Sequence, residues 1–261
     1  MTTEGLREVD ALRIAGDVRT PHADHVIEET PVALLYNGSP FAVMMATPTD
    51  LDDFALGFAL SEGVVATPNE FKLVDVVRHD DGIALHAAIP QARFDALGTR
   101  SRNLAGHSGC GLCGTESLQA AIRPLTPVRS STRFPAAAIR GGLQLLSERQ
   151  PLNTASGGVH AAGYVHAGGI VVREDVGRHN ALDKVVGAVA KQAHGDGFLA
   201  ITSRASYEIV HKAATSGIGM VVAISAPTAL AIRLAETAGV TLVAFARGDT
   251  MNVYSHAARV A

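Results

Sequence analysis

The chain has two cysteines, Cys110 and Cys113, set two residues apart in Ser108-Gly109-Cys110-Gly111-Leu112-Cys113-Gly114. Cysteines at that spacing can close a redox disulfide, supply half of a zinc site, hold a stabilised thiolate or carry sulfur as a persulfide. A structural zinc needs two further ligands, and His107 is poorly placed to join a tetrahedron that already uses both cysteines. A thioredoxin-type centre follows a buried strand, whereas Thr99-Arg100-Ser101-Arg102-Asn103 is polar and turn-like. Gly109, Gly111 and Gly114 free the backbone to bend, which suits sulfur hand-over better than rigid ligation. Polar and glycine neighbours also argue against a pair of buried small hydrophobes. A thiolate that takes up sulfur needs a lowered pKa or open access. His107 could supply charge for this, or it could be a solvated loop residue.

The rest of the chain must position that pair. Its 261 residues suffice for one large domain or two modest ones, with core enough to stand without disulfides. Hydrophobic residues make up 47% and charged residues 18%, as in an ordinary globular protein. Tryptophan is absent, so packing rests on Ala, Val, Leu and Ile. The net charge of −3 predicts no broad basic face for nucleic acid, so an anionic ligand must be met by local groups. The N-terminal residues lack the apolar stretch of a signal peptide. No 18-residue apolar run follows, so no membrane span is expected and the cytoplasm, where thiols stay reduced, is the expected compartment.

Residues up to about Thr20 show no clear period, which leaves their conformation open. Pro31–Tyr36 and Phe41–Met45 read as a hairpin turned at Asn37-Gly38. Leu51, Phe54, Ala55 and Phe58 mark one face of a helix with acids at its start and Gly63 at its stop. Val74–Val77 and Ile83–Leu85 suggest a second hairpin. A small α+β unit over residues 22–100 is therefore expected, then a cysteine loop and linker over 101–135, then an α/β unit over 136–261. In the last, Ala136–Glu148 reads as a helix, and Val159–Val172 as two strands facing one another across Ala167-Gly168-Gly169. A further helix carries Ala181, Leu182, Val185, Val186 and Val189 on one stripe, with Asn180 and Asp183 at the spacing of a cap and its reciprocal partner. Strands at Phe198–Thr202, Met220–Ile224 and Val240–Phe245 then alternate with helices at Ser206–Ser216 and Thr228–Ala238. That alternation predicts a parallel sheet covered on both faces.

In such sheets ligands gather at the carboxyl ends of strands, beside helix N-termini. Those ends read Ser203-Arg204-Ala205-Ser206, Ser225-Ala226-Pro227-Thr228 and Ala246-Arg247-Gly248-Asp249-Thr250. Side by side they would form a polar shelf suited to phosphates or a nucleotide. The plainer reading is that Ser and Thr there cap helices.

Four stretches in this order, Cys110–Gly114, Arg173-Glu174-Asp175-Val176-Gly177-Arg178-His179-Asn180-Ala181-Leu182-Asp183-Lys184, Ser203–Glu208 and Ser225–Thr228, closely resemble the formate dehydrogenase accessory sulfurtransferases. The likeness spans about Glu29 to Tyr254, and the Arg173–Lys184 run is far more specific than a C-x-x-C alone. The resemblance implies a larger domain of the three-layer cytidine-deaminase-like fold. It also implies transfer of persulfide sulfur from a cysteine desulfurase to the molybdenum (or tungsten) bis-guanine-dinucleotide cofactor that activates formate dehydrogenase. By that likeness Cys110 carries the persulfide, Cys113 assists, and Phe245-Ala246-Arg247-Gly248-Asp249-Thr250 meets the guanine nucleotide. The cofactor is then a bound substrate, no metal is held tightly by the protein itself, and the chain is a homodimer. Ser203, Arg204, Ser225 and Thr228 join the expected cofactor site from the shelf reading.

The residues themselves argue against zinc deamination. The reaction needs His-x-Glu before Pro-Cys-x-x-Cys, and here His160-Ala161-Ala162 lacks the glutamate and follows the cysteines, while Gly109 stands in the place of proline. Within the Arg173–Lys184 run, Glu174, Asp175, Arg178, His179 and Lys184 could wall a pocket or form an exposed ion-pair cluster. Two other classes remain open at this point. One is a chaperone that holds the cofactor without sulfur chemistry, the other a redox-regulated adaptor.

Overall fold

The computed structural model of the protein describes residues 4–97, 125–192 and 194–261. Cys110, Cys113 and His107 lie outside the described residues.

The chain opens on an antiparallel ribbon, β1 (Leu6–Ala15) with β2 (Val18–Ile27), both strands largely exposed along their length. With both faces wet, neither strand alternates polar and apolar residues, so no period marks it in the sequence. β3 (Thr30–Tyr36) and β4 (Ser39–Ala46) form the expected hairpin, with Asn37 and Gly38 at φ 48° and 82°. Both central turn residues thus take the positive φ of a tight hairpin turn. β5 (Lys72–His79) and β6 (Gly82–Ala88) form the second hairpin, and a parallel β3–β6 pairing joins the two into a sheet of order β4-β3-β6-β5. α1 (Leu51–Ser61) covers this sheet through Leu51, Phe54 and Phe58, and α2 (Gln91–Leu97) closes the unit.

The second unit begins with α3 (Ala136–Glu148) and a short α4 (Pro151–Ser156) that the sequence reading leaves out. β7 (His160–His166) and β8 (Gly169–Asp175) pair antiparallel, and α5 (Arg178–Ala190) follows. Then come β9 (Gly197–Ile201), α6 (Tyr207–Thr215), β10 (Met220–Ala223), α7 (Ala229–Ala238), β11 (Thr241–Arg247) and β12 (Thr250–Val253). The six-stranded sheet runs β12-β11-β10-β9-β7-β8. β9, β10 and β11 are parallel, as their alternation with helices requires. The sheet as a whole is mixed rather than parallel, because β7 lies antiparallel to β9 and β12 folds back on β11.

Strand alternation sorts the core into two layers. Leu199, Ile201, Val221, Leu242 and Ala244 face α5, α6 and α7, while Phe198, Ala200, Met220, Val222 and Val243 face Ile139 and Leu146 of α3. The result is a three-layer α/β unit beside a smaller α+β unit. At one border of the larger sheet, β8 turns the carbonyls of Ile170, Val172 and Glu174 outward. They accept from Arg149 Nη1 (3.3 Å), Arg173 Nη1 (2.8 Å) and Lys184 Nζ (3.3 Å). Among the described residues no helix is long and apolar enough to cross a membrane.

Candidate functional site

α1 and α5 cross at two glycines. A Cβ added to Gly57 would overlap the Asp183 carbonyl, and one added to Gly187 would overlap the Asp53 carbonyl, so only glycine lets the backbones meet this closely. Charges flank the crossing on both sides. Lys184 and Asp175, both with fully buried side chains, pair at 2.7 Å. The same aspartate accepts from the Thr47 N–H (3.0 Å), the Gly177 N–H (2.8 Å) and Asn180 Nδ2 (3.0 Å), and Asn180 also donates to the Met45 carbonyl (2.7 Å). Toward the other end, Lys212 donates to both oxygens of Asp183 (2.9 Å each) and pairs with Glu62 (2.8 Å), while Ser61 Oγ donates to Asp183 (2.5 Å). Burial pushes the Asp183 carboxyl up to about 6 against the pull of Lys212 and Ser61, which leaves it mainly an anion at neutral pH. Burial also works against the charge of Lys212, but Asp183 and Glu62 outweigh it and hold the ammonium above its ordinary range.

The structure divides the Arg173–Lys184 run. Asp175, Asp183 and Lys184 are buried and fasten one unit to the other rather than forming an exposed cluster, while Arg173 and Glu174 line the groove beside α1, and His179 and Asn180 line a smaller cavity against Met44 and Met45. Asn180 and Asp183 are likewise not a helix cap, because α5 starts two residues earlier, at Arg178, and both side chains serve partners on other elements. Glu174 accepts from the N–H groups of Leu152 (2.9 Å) and Asn153 (2.8 Å) at the start of α4. Arg173 and Lys191 both reach Asp53 (2.7 Å each) across a groove of about 640 Å³ between α1 and β8.

The carboxyl end of the sheet is built differently. The expected turns do lie side by side, stitched through backbone groups. Ala205 N–H donates to the Ala226 carbonyl (3.1 Å) and Thr228 N–H to the Ala205 carbonyl (3.0 Å), while Phe245 N–H donates to the Ser225 carbonyl (3.1 Å). Arg247 Nε donates to the Ile224 carbonyl (2.9 Å), which holds the third turn against the second. Thr228 takes the plain role, its hydroxyl accepting the Ala231 N–H at 3.2 Å as the N-cap of α7. Ser203 is buried and its hydroxyl donates to the Arg204 carbonyl (3.2 Å), whereas Arg204 is exposed.

The third turn carries strain. A register shift between Ala244 and Arg247 places Phe245 at φ 50° with its ring 43% exposed, and Gly248 at φ 54° completes the reversal into β12. A left-handed phenylalanine costs on the order of 1 kcal/mol, and such outliers gather at ligand sites. Ala246 is buried in the core. Asp249 is fully exposed, 3.8 Å from Arg140, and Thr250 Oγ1 donates to the Arg247 carbonyl (3.2 Å).

Beside the shelf lies a group of residues absent from the sequence-derived site. β7 runs antiparallel to β9, with Ala161 N–H donating to Thr202 Oγ1 (3.0 Å), so His160 sits at the carboxyl end of β9. Burial, then the charge of Arg178, holds the His160 imidazole below its ordinary range. His179 Nε2 lies 3.9 Å from Glu208 Oε2, which brings the first turns of α5 and α6 together. Only the crossover topology assembles these residues, and no local spacing announces it.

The model describing the FdhD/NarQ family matches residues 27–261. The chain belongs to the FdhD/NarQ family. It is 53% identical over 242 residues to the sulfur carrier protein FdhD of Xanthomonas campestris pv. campestris (strain B100), covering 91% of this chain and 86% of that protein. It is 47% identical over 256 residues to the protein of that name from Bordetella bronchiseptica, covering 96% and 93%. A crystal structure from Desulfotalea psychrophila, described as a formate dehydrogenase accessory protein, superposes with a TM-score of 0.77 at 25% identity, covering 98% of this chain and 99% of that one. The fold class expected from the resemblance is thus the observed one, and the FdhD/NarQ assignment places the C-x-x-C inside the matched span.

Proposed function

We propose that the chain is a sulfur carrier in formate dehydrogenase maturation that loads a persulfide on Cys110 and delivers its sulfur to a guanine-dinucleotide-bearing molybdenum or tungsten cofactor bound as substrate. The observation that carries the reading is the family match over residues 27–261, which spans the Cys110/Cys113 pair and the strand-end turns together. In loading, the Cys110 thiolate attacks the terminal sulfur of a persulfide on a cysteine desulfurase. A new S–S bond forms on Cys110, the donor's S–S bond breaks, and the donor cysteine leaves as thiolate. In release, the Cys113 thiolate attacks Cys110 Sγ and expels hydrosulfide, leaving a Cys110–Cys113 disulfide. An external dithiol reductant then restores both thiols.

The stitched turns supply a seat for the nucleotide. Arg204 and Arg247 offer positive charge, Phe245 offers an exposed ring to a base, and Ser225 lies between them. The assigned partners are a cysteine desulfurase, formate dehydrogenase and a second copy of the chain. The last rests on the family resemblance and is tested by sedimentation.

Anaerobic intact mass after incubation with a desulfurase and cysteine tests the chemistry. The expected gain is one sulfur atom, about 32 Da, on the parent protein and none on Cys110→Ala. Cys113→Ala should load sulfur normally but fail to release hydrosulfide. A Cys110→Ala protein that still activates formate dehydrogenase would favour the cofactor-holding chaperone instead.

A further inference from the structure

The ribbon of β1 and β2 stands apart from both cores. At its base the Glu28 N–H donates to the Gly5 carbonyl (2.8 Å), Arg7 pairs with Glu28 (2.7 Å), and the Ile27 side chain lies against Gly158 just past α4. Beyond that base, Asp10 to Pro21 is exposed without a break. Four of the eight large apolar side chains exposed among the described residues sit on this arm, namely Leu12, Ile14, Val18 and Val26, so apolar surface is concentrated there rather than scattered. A single two-stranded ribbon is marginal in water, and one that shows Leu12 and Ile14 to solvent has the surface of half a contact.

The pairing register fixes which residues share a side. Directly opposite residues of an antiparallel pair face the same way, so Asp10 with Ala23, Leu12 with Pro21, and Ile14 with Arg19 form one row along the arm. Leu12 and Pro21 hold its middle. Asp10 lies two residues toward the base, and Arg19, at the level of Ile14, lies two residues toward the tip. These two charges are about 13 Å apart along the strands, too far to meet within one arm. Among the described residues neither has an ion-pair partner, whereas Arg7 pairs with Glu28, Arg13 bonds His22 (2.6 Å) and Glu8 lies 3.8 Å from His25. A two-fold axis at Leu12 turns the row onto itself. Leu12 then meets Leu12 of a second copy, and each Asp10 comes level with the other copy's Ile14 and within reach of its Arg19.

We propose that the β1–β2 ribbon is the surface through which two copies of this chain associate, arm against arm across a two-fold axis at Leu12, with Asp10 of each copy paired to Arg19 of the other. A second copy fits this row because the row is its own complement, apolar at the middle and of opposite sign on its two flanks. A face about 33 Å long and about 10 Å wide offers on the order of 330 Å² per copy. That is below the roughly 800 Å² per partner of a stable complex, so the pair comes apart on dilution. The inference rests on the reading above only in taking a second copy as partner, and it stands or falls apart from the sulfur chemistry.

Sedimentation velocity of the full chain over a range of concentrations tests the arm. The parent should pass from monomer to dimer as concentration rises. Leu12→Asp, which sets two carboxylates against each other on the axis, should raise the dimer Kd at least about tenfold, and Asp10→Arg or Arg19→Asp alone should do the same. An equimolar mixture of Asp10→Arg and Arg19→Asp should associate like the parent, because a mixed pair has opposite charges at both contacts. Val74→Asp, on β5 and as exposed as Leu12, should leave association unchanged. Thermal unfolding checks that each variant folds; if Leu12→Asp does not, the two reversals and their mixture decide. A parent that stays monomeric, a dimer that withstands Leu12→Asp and both reversals, or a mixture no tighter than its components overturns the proposal. Sulfur loading on Cys110 is read separately by mass, so an arm that fails leaves the carrier reading standing.

Discussion

Two sets of polar groups around α5 treat charge in opposite ways. Along the seam, Lys184, Asp175, Asp183 and Lys212 are buried and each meets an opposite charge and several hydrogen bonds. At the first turn, Arg178 and the neighbouring Ser206 end without partners. Buried polar groups in folded proteins are nearly always satisfied, so a satisfied network reports on assembly and an unsatisfied one on something absent from the chain itself. Within the Arg173–Lys184 run, high specificity thus mixes two meanings. Asp175, Asn180, Asp183 and Lys184 identify how the halves are joined, while Arg178 Nε is left without a hydrogen-bond partner.

The contrast can be broken at the seam. Lys184→Met leaves Asp175 as an uncompensated buried charge and should cost about 3–5 kcal/mol in urea unfolding, the largest effect expected here. Gly187→Ala comes next, at about 1–3 kcal/mol, because the methyl group has no room against Asp53 and the helices must part. A Gly187→Ala protein as stable as the parent would show that the crossing is looser than described. Thr228→Ala should cost about 1 kcal/mol through the lost cap. Ser206→Ala sharpens the comparison from the other side. Removing a hydroxyl that bonds to nothing should leave the melting temperature unchanged or slightly raised, and a drop of the Thr228→Ala size would mean that Ser206 is structural after all.

How much of this was legible follows from where each signal lives. Helix Ala136–Glu148 and the Asn37-Gly38 hairpin were readable because local period and turn chemistry decide them. The shelf was readable because strand–helix alternation fixes which strand ends share an edge. β12 was not, since the bulge at Phe245 reverses the chain within what reads as one polar turn. The seam was also hidden. Asn180 and Asp183 have good cap spacing, and only contacts with Met45 and Ser61, more than a hundred residues away, give them other work. His160, one histidine among 11, was weighed only as a deaminase ligand, because its nearness to Arg178 arises only once α5 lies over β7.

The border strand β8 carries one more consequence. Ile170-Val171-Val172 is strongly β-prone, and an open rim of that kind invites a neighbouring molecule to extend the ladder. Arg149, Arg173 and Lys184, seated on its outward carbonyls, occupy the acceptors that an incoming strand would use. Arg149 bonds within its own unit, so its loss should uncover one acceptor on that rim without loosening the seam, and a variant lacking it should show its fault as turbidity in a concentrated sample before it shows one in sulfur delivery.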